Sequence, residues 1–198
     1  MLLAAIQQVQ IVPLIRSAEA FEAAHDAVPP SLAATLVADI VLATAFALLL
    51  AAAMSLRPPA DWRAGILWGL AGYAAFFAAP AIGLPPELPG TEAGALHERQ
   101  LWWALAAADT AAGLAMLAFC RPAWLRAAGI AVLLLPHIVG APHPAAQASS
   151  VPPELAGDFV RATWLANAAF WLCLGALVGW LSRGDRRAQS NRSAALRP

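Results

Sequence analysis

Residues 32–56 read LAATLVADIVLATAFALLLAAAMSL and decide the fold of this chain. They contain one charged residue, Asp39, and otherwise consist almost entirely of Ala, Leu, Val and other apolar residues. A helix needs about 20 predominantly apolar residues to cross the hydrocarbon core of a membrane, which is about 30 Å thick. At about 1.5 Å per residue this stretch reaches about 37 Å, so it is predicted to span a bilayer.

Similar apolar runs recur along the rest of the chain. Hydrophobic residues make up 61% of the 198 residues and charged residues only 12%, whereas an average soluble domain has about a quarter of its residues charged. The composition predicts an all-α polytopic membrane helical bundle of about six spans, with no soluble domain. The predicted spans are 2–15, 32–56, 64–83, 101–120, 123–141 and 159–181.

The first predicted span is short. Residues 2–15 would reach only about 21 Å as a helix, less than the hydrocarbon thickness. We expect this segment to continue helically beyond Arg16, or to be truncated by a start codon placed too late, rather than to form a re-entrant segment.

The arginines predict the orientation of the bundle. The connections 57–63 and 121–126 and the tail 182–198 hold nine of the twelve basic residues, all of them arginine. Short loops rich in basic residues face the cytoplasm, so these connections and both termini are predicted to be cytoplasmic, with residues 184–198 as a disordered basic tail. The formal net charge is zero and gives no indication of a nucleic-acid partner.

Three pseudo-repeated helical hairpins, over about 1–57, 64–121 and 126–183, are predicted within a single bundle over 1–183. Two cytoplasmic turns are near copies of each other, and each outer loop contains a Pro-Pro-x-Leu step. Hairpins that all point the same way are related by an axis along the membrane normal. Each returning helix carries one polar residue some eight positions in, and these residues are Asp39, Asp109 and Asn167.

These three polar residues are candidates for a transport path. Eight residues of helix place them about 12 Å below the outer helix ends, near the middle of the bilayer. An ionised carboxylate at that depth is costly unless it faces a partner, a cation or water. We expect the three side chains to meet at a common depth. The alternative is that each is hydrogen-bonded to a neighbouring helix and only holds the bundle together.

His137 and His143 are candidates for the mouth of that path. They lie in a stretch with prolines at 136, 142 and 144, which break the helix and free backbone carbonyls. Irregular backbone at membrane depth is tolerated only against protein or water, and imidazole suits divalent metals such as cobalt and nickel. The alternative for each histidine taken alone is a surface or structural role, because no two histidines have the close spacing of a metal-binding helix.

Acidic and imidazole side chains at the outer side predict cation capture there. In the run 19–26 three carboxylates share one helical face beside a histidine, although a solvated interfacial helix has the same pattern. The residues predicted to capture cations are Glu19, Glu22, His25, Asp26, Glu87 and His97.

Small residues are predicted to serve packing. Gly65, Gly69, Gly72 and Ala75 recur at steps of three and four residues, the spacing that lets membrane helices approach closely. No signature of a P-loop, a catalytic triad or a zinc-protease helix is present in the sequence, so we expect neither an enzyme nor a resident cofactor.

Two motifs are specific enough to indicate a family: Leu-Pro-Pro-Glu-Leu-Pro-Gly at 84–90 and Pro-His-x-x-Gly-Ala-Pro at 136–142. Together with the stretches 9–15, 18–22, 67–77, 99–103 and 167–172 they resemble the CbtA family, the probable cobalt transporter membrane subunit, over nearly the whole chain. The resemblance implies a multi-span protein of the bacterial inner membrane that takes part in cobalt uptake for cobalamin synthesis. It also implies a small CbtB-type partner with one span and a histidine-rich end. The chain departs from the family in its first segment, which is longer and basic in other members.

Residues and resemblance together predict an inner-membrane transport subunit for uptake of a divalent transition metal, with cobalt as its cargo. A cation of charge 2+ moving inward gains about 4.6 kcal/mol per 100 mV of membrane potential, which suffices to drive uptake without nucleotide hydrolysis. Two alternatives are a non-transporting scaffold or assembly subunit and a proton-coupled carrier of a small solute.

Overall fold

A computed structural model of the protein describes residues 11–15, 32–88, 94–143 and 152–195, with the backbone alone for Leu32 and from residue 183 onwards. The described elements beyond residue 31 are all helical. They are α1 (Leu32–Leu56), α2 (Trp62–Tyr73), a π-helical turn (Ala74–Ala78), α3 (Ala79–Gly83), α4 (Leu96–Phe119), α5 (Ala123–Val139) and α6 (Pro153–Ala195).

Among the described residues, four helices are long and apolar enough to cross a membrane, and this confirms the predicted helical membrane bundle. A further apolar helix, α5, has 17 residues. The first predicted span lies outside the described residues except for 11–15. The four long helices are Ala33–Leu56, Trp62–Gly83, Leu96–Phe119 and Pro153–Ser182.

Two helices begin earlier than their apolar runs. α4 starts at Leu96 instead of residue 101, because its polar first turn is helical and places Glu98 at the positive end of the helix dipole. α6 starts at Pro153 instead of residue 159, because proline suits the first position of a helix, where no backbone N–H is needed. Hydropathy identifies the part of a helix that is apolar enough to lie in the membrane, and it misses such polar ends.

The chain end also differs from the prediction. α6 continues as a helical backbone to Ala195, in place of the disorder predicted from residue 184. The residues beyond Ser182 include arginine, alanine and glutamine, which are good helix formers.

The chain forms two compact groups of residues. The first group comprises Met1–Pro30 and Tyr73–Asn167, and the second comprises Ser31–Gly72 and Ala168–Pro198. Neither group coincides with one of the predicted hairpins, so the threefold repeat stays a prediction.

In the second group, α2 and α6 meet through glycines. A Cβ atom added to Gly175 would lie 2.5 Å from the carbonyl oxygen of Gly65 and 2.8 Å from the Cα of Gly69. A side chain on Gly72 would run into the indole of Trp171. The packing role predicted for the α2 glycines is therefore confirmed. Their counterparts on α6, Gly175 and Gly179, were not singled out in the sequence.

In the first group, α4 packs along α5 and against α3. A Cβ on Gly113 of α4 would lie 2.6 Å from the carbonyl oxygen of Gly129 of α5. The segment after α3 is fixed by Leu88, which is 4% exposed and packs with Phe159 of α6. These contacts hold the end of α3 beside α4 and so shape the site described next.

Candidate functional site

A cavity of about 400 Å³ opens in the first group where the ends of α3 and α5 approach the first turns of α4. His137 of the Pro-His-x-x-Gly-Ala-Pro segment and His143, which directly follows that segment, both line this cavity. The complete lining is Ile82, Gly83, Pro85, Trp102, His137, Gly140, Ala141 and His143.

The end of α5 brings the two histidines to one cavity. Pro136 lies inside the helix and is buried, and because it has no backbone N–H it leaves the carbonyl of Val132 without its usual helical donor. The helix then ends at Gly140, whose N–H donates to the carbonyl of Pro136 at 3.0 Å. Gly140 has a φ of 85°, so the chain turns there and residues 141–143 return to the cavity that His137 lines.

Trp102 forms the inner wall of the cavity. Its side chain is 7% exposed, and its ring lies edge-on to His137 with 6.2 Å between the ring centroids. The absence of a side chain at Gly83 permits this position, because a Cβ there would overlap the indole and lie 3.0 Å from the Cβ of Ala141.

The sequence contains a pattern from which Trp102 could have been singled out as a residue near the site. It precedes Asp109 by seven residues, which is two helical turns, so the two side chains share a face of α4. Asp109 is half-buried on that face. The cavity lining includes Trp102 but not Asp109.

Glu87 and His97, two of the predicted capture residues, lie apart from the cavity lining. The carboxylate of Glu87 accepts a hydrogen bond from Arg99 at 2.8 Å, and both side chains are about three-quarters buried, with exposures of 25% and 24%. This ion pair neutralises Glu87 and links the segment after α3 to α4. His97 is exposed in the first turn of α4. The remaining predicted capture residues, Glu19, Glu22, His25 and Asp26, lie outside the described residues.

The three predicted path residues are divided between the two groups of residues. Asp39 is half-buried on α1 in the second group, and its Oδ2 atom is buried without a hydrogen-bond partner among the described residues. Asp109 and Asn167 are half-buried in the first group. The amide of Asn167 donates to the carbonyl of Thr163 in its own helix at 3.0 Å, whereas the structural alternative requires a bond to a neighbouring helix. Their meeting at one depth stays a prediction.

The ligand set at the cavity is small. Among the described residues, no three His, Cys, Asp or Glu side chains are grouped so that they could hold a metal ion. His137 and His143 are the two side chains in the cavity lining that can ligate a divalent metal.

Comparison with known proteins adds one match. The family model described as "Probable cobalt transporter subunit (CbtA)" matches residues 1–183. Neither the curated proteins nor the solved structures contain a match.

Proposed function

Since the chain belongs to the CbtA family of probable cobalt transporter subunits, we propose that it provides a path by which a divalent transition metal, with cobalt as the principal cargo, enters the cell. The observation that supports this path best is the cavity lined by both His137 and His143. Imidazole is a ligand that cobalt and nickel accept readily. In this proposal the cation is cargo, and the protein is neither an enzyme nor the holder of a resident cofactor.

The proposal places the protein in a bacterial inner membrane with its C-terminus in the cytoplasm. Most arginines then lie on the inner side, as the positive-inside rule requires. The cavity lies at the outer side, where the capture residues are also predicted. The negative interior of the cell draws the cation inward.

A second membrane subunit completes the proposed transporter. The family description calls the protein a subunit, and we assign the partner role to a CbtB-type protein with one span and a histidine-rich end. The surface of α1 is available to lipid or to such a span, because only 6% of its most apolar stretch of 18 residues is buried inside the protein.

Removal of the cavity histidines tests the proposed function. In proteoliposomes loaded with a metal-sensing dye, His137→Ala and His143→Ala should each lower the initial rate of cobalt entry by about tenfold, the scale on which loss of groups around a metal weakens its binding. His97→Ala is the matched control, because His97 is exposed and outside the cavity lining. Its rate should equal that of the parent protein.

Three results would contradict this function. Equal rates in all three variants would exclude the cavity as the path. A folded parent protein that passes no cobalt, with or without its partner, would favour the scaffold. Flux of an organic solute that depends on a proton gradient and ignores cobalt would favour the carrier.

A further inference from the structure

The turn between α4 and α5 carries two arginines that no described side chain neutralises. Arg121 directly follows the C-cap of α4, and Arg126 lies in the first turn of α5. Both are exposed, and neither forms an ion pair with a described carboxylate. No acidic residue is near in sequence either, since residues 110–153 contain no Asp or Glu. The turn therefore keeps both of its positive charges.

Two other arginines, on the predicted outer side, are neutralised within the chain. Arg99 donates to Glu87 at 2.8 Å, and Arg161 pairs with Asp158. An exposed arginine of this protein can thus have a carboxylate beside it when the surrounding sequence supplies one. At the α4–α5 turn the described residues supply none, so an anion that neutralises it comes from the surroundings of the protein.

Close packing of α4 against α5 fixes the turn that carries these charges. A Cβ on Gly129 of α5 would lie 3.0 Å from the carbonyl oxygen of Gly113 of α4 and 2.9 Å from the Cβ of Met116. Within the turn, the N–H of Leu125 donates to the carbonyl of Pro122 at 3.1 Å. The two arginines are therefore presented from one fixed hairpin, and less conformational freedom is lost when they bind the same ligand.

Exposed apolar side chains surround the turn. Trp124, which lies between the two arginines, is 70% exposed, and Phe119 at the end of α4 is 47% exposed. Ile130, further along α5, is 51% exposed. Tryptophan beside basic residues is typical of the membrane interface, where its ring lies at the level of the lipid headgroups. A ligand that meets this surface has an anionic group for the arginines and an apolar part for their neighbours.

We propose that the α4–α5 turn is a binding site for an anionic phospholipid, with Arg121 and Arg126 on the phosphate oxygens and Trp124 against the glycerol and the upper acyl chains. The planar guanidinium group binds phosphate through two parallel hydrogen bonds. The site lies at the opposite end of α5 from the histidine cavity. A lipid held there fixes the depth of the α4–α5 hairpin in the bilayer.

Other ligands of related chemistry match the turn less well. The headgroup of phosphatidylcholine has no net charge, because its choline cation offsets the phosphate, so two arginines in excess favour a headgroup with a net negative charge. Inorganic phosphate matches the arginines but leaves the exposed ring of Trp124 without a contact. An anionic lipid supplies both parts.

A fluorophore on Cys120, the residue before Arg121, measures lipid selectivity at the turn. The full chain, with Cys173 replaced by serine, is reconstituted in phosphatidylcholine vesicles that contain a small fraction of spin-labelled phosphatidylglycerol or spin-labelled phosphatidylcholine as the quencher. The anionic lipid should bind about thirtyfold more tightly, since each basic residue at an anionic surface contributes about fivefold. Arg121→Gln and Arg126→Gln should each lose about fivefold of this selectivity, and the double variant nearly all of it.

Arg161→Gln is the matched control for the loss of one exposed arginine. Asp158 already neutralises Arg161, so this variant should keep the selectivity of the parent protein. Inorganic phosphate in the buffer should not reduce quenching by the anionic lipid. All variants should unfold at the parent midpoint in phosphatidylcholine, because substitutions of exposed side chains without a described partner change stability little.

Four results would overturn the lipid site. Equal quenching by the two lipids in the parent protein would leave the charges for an acidic segment of a protein partner. An equal loss in Arg161→Gln would indicate general attraction between charges, and competition by inorganic phosphate would indicate a site for the free anion. A lower unfolding midpoint that accounts for the lost quenching would indicate a structural role of the arginines.

The lipid site and the proposed transport function are tested separately. Cobalt takes no part in the quenching measurement, and the histidine variants do not alter the α4–α5 turn. Failure of the lipid site therefore leaves the proposed function intact, and failure of cobalt entry leaves the lipid site intact.

Discussion

Gly140 shows how one residue positions the site. Its φ of 85° lies in a region that glycine adopts freely and other residues rarely do. A Cβ added there would have no heavy atom within 4 Å, so the requirement for glycine is conformational and not steric. The turn at Gly140 directs the chain from His137 towards His143, and the cavity depends on it.

Replacement of Gly140 should therefore cost stability and transport together. We expect Gly140→Ala to lower the free energy of unfolding by about 1–2 kcal/mol and to reduce cobalt entry, because His143 loses its place. Gly157→Ala is a control, since a Cβ there also meets nothing within 4 Å but Gly157 lies within α6 and has no positive φ. There alanine should be neutral or stabilising by about 0.5–1 kcal/mol. The two variants are compared by their midpoints of thermal unfolding in detergent. Equal changes in the midpoint would contradict the argument that the positive φ at position 140 requires glycine.

Among the elements, the continuous helical segment from α2 to α3 contains a π-helical turn and, just after it, a buried proline. Pro80 is fully buried and follows the π-helical turn Ala74–Ala78, in which Ala79 donates to the carbonyl of Ala74. Proline removes a backbone donor and crowds the carbonyl four residues before it, and the wider π turn accommodates this. The segment stays helical to Gly83 and so reaches Trp102.

The glycine contact between α2 and α6 provides a test at this scale. Gly175→Val would force a side chain against the backbone of Gly65 and Gly69, so we expect a loss of about 1–3 kcal/mol in the free energy of unfolding. Cys173→Val is the control because that residue is exposed on the same helix. Comparable unfolding midpoints in detergent for the two variants would show that the helices do not meet as closely as the structure indicates.

For the whole molecule, the solvent and the charge distribution determine the arrangement. Many large apolar side chains are exposed, among them Val41 at 63% and Leu67 at 67%. In water such a surface would aggregate, whereas in a membrane it meets acyl chains. The arginine-rich connections are then predicted to face the cytoplasm and to set the orientation.

Orientation can be measured with single cysteines in place of Cys120 and Cys173. In cells with a permeable outer membrane, an impermeant thiol reagent should label His97→Cys from outside. Ser190→Cys should be labelled only after the inner membrane is opened, because its basic surroundings predict a cytoplasmic position. The reverse pattern would contradict the proposed orientation and, with it, the outward-facing cavity.

The sequence by itself determined the membrane class, the approximate positions of the described apolar helices and the broken helix end that carries His137 and His143. These depend on local properties: the length of an apolar run, and prolines and a glycine that end a helix whatever surrounds it. The family motifs lie in the same segments, so the function proposed from them agrees with the site.

Only the tertiary structure decided which helix faces meet. It buried Trp102, paired Glu87 with Arg99, matched Gly65 and Gly69 with Gly175, and left the hydroxyl of Thr110 without a partner among the described residues. A helix that is apolar on all sides finds an equally apolar environment in lipid and in neighbouring helices. Hydropathy therefore does not distinguish the two faces, and the choice is made by shape, through small residues that allow backbones to touch.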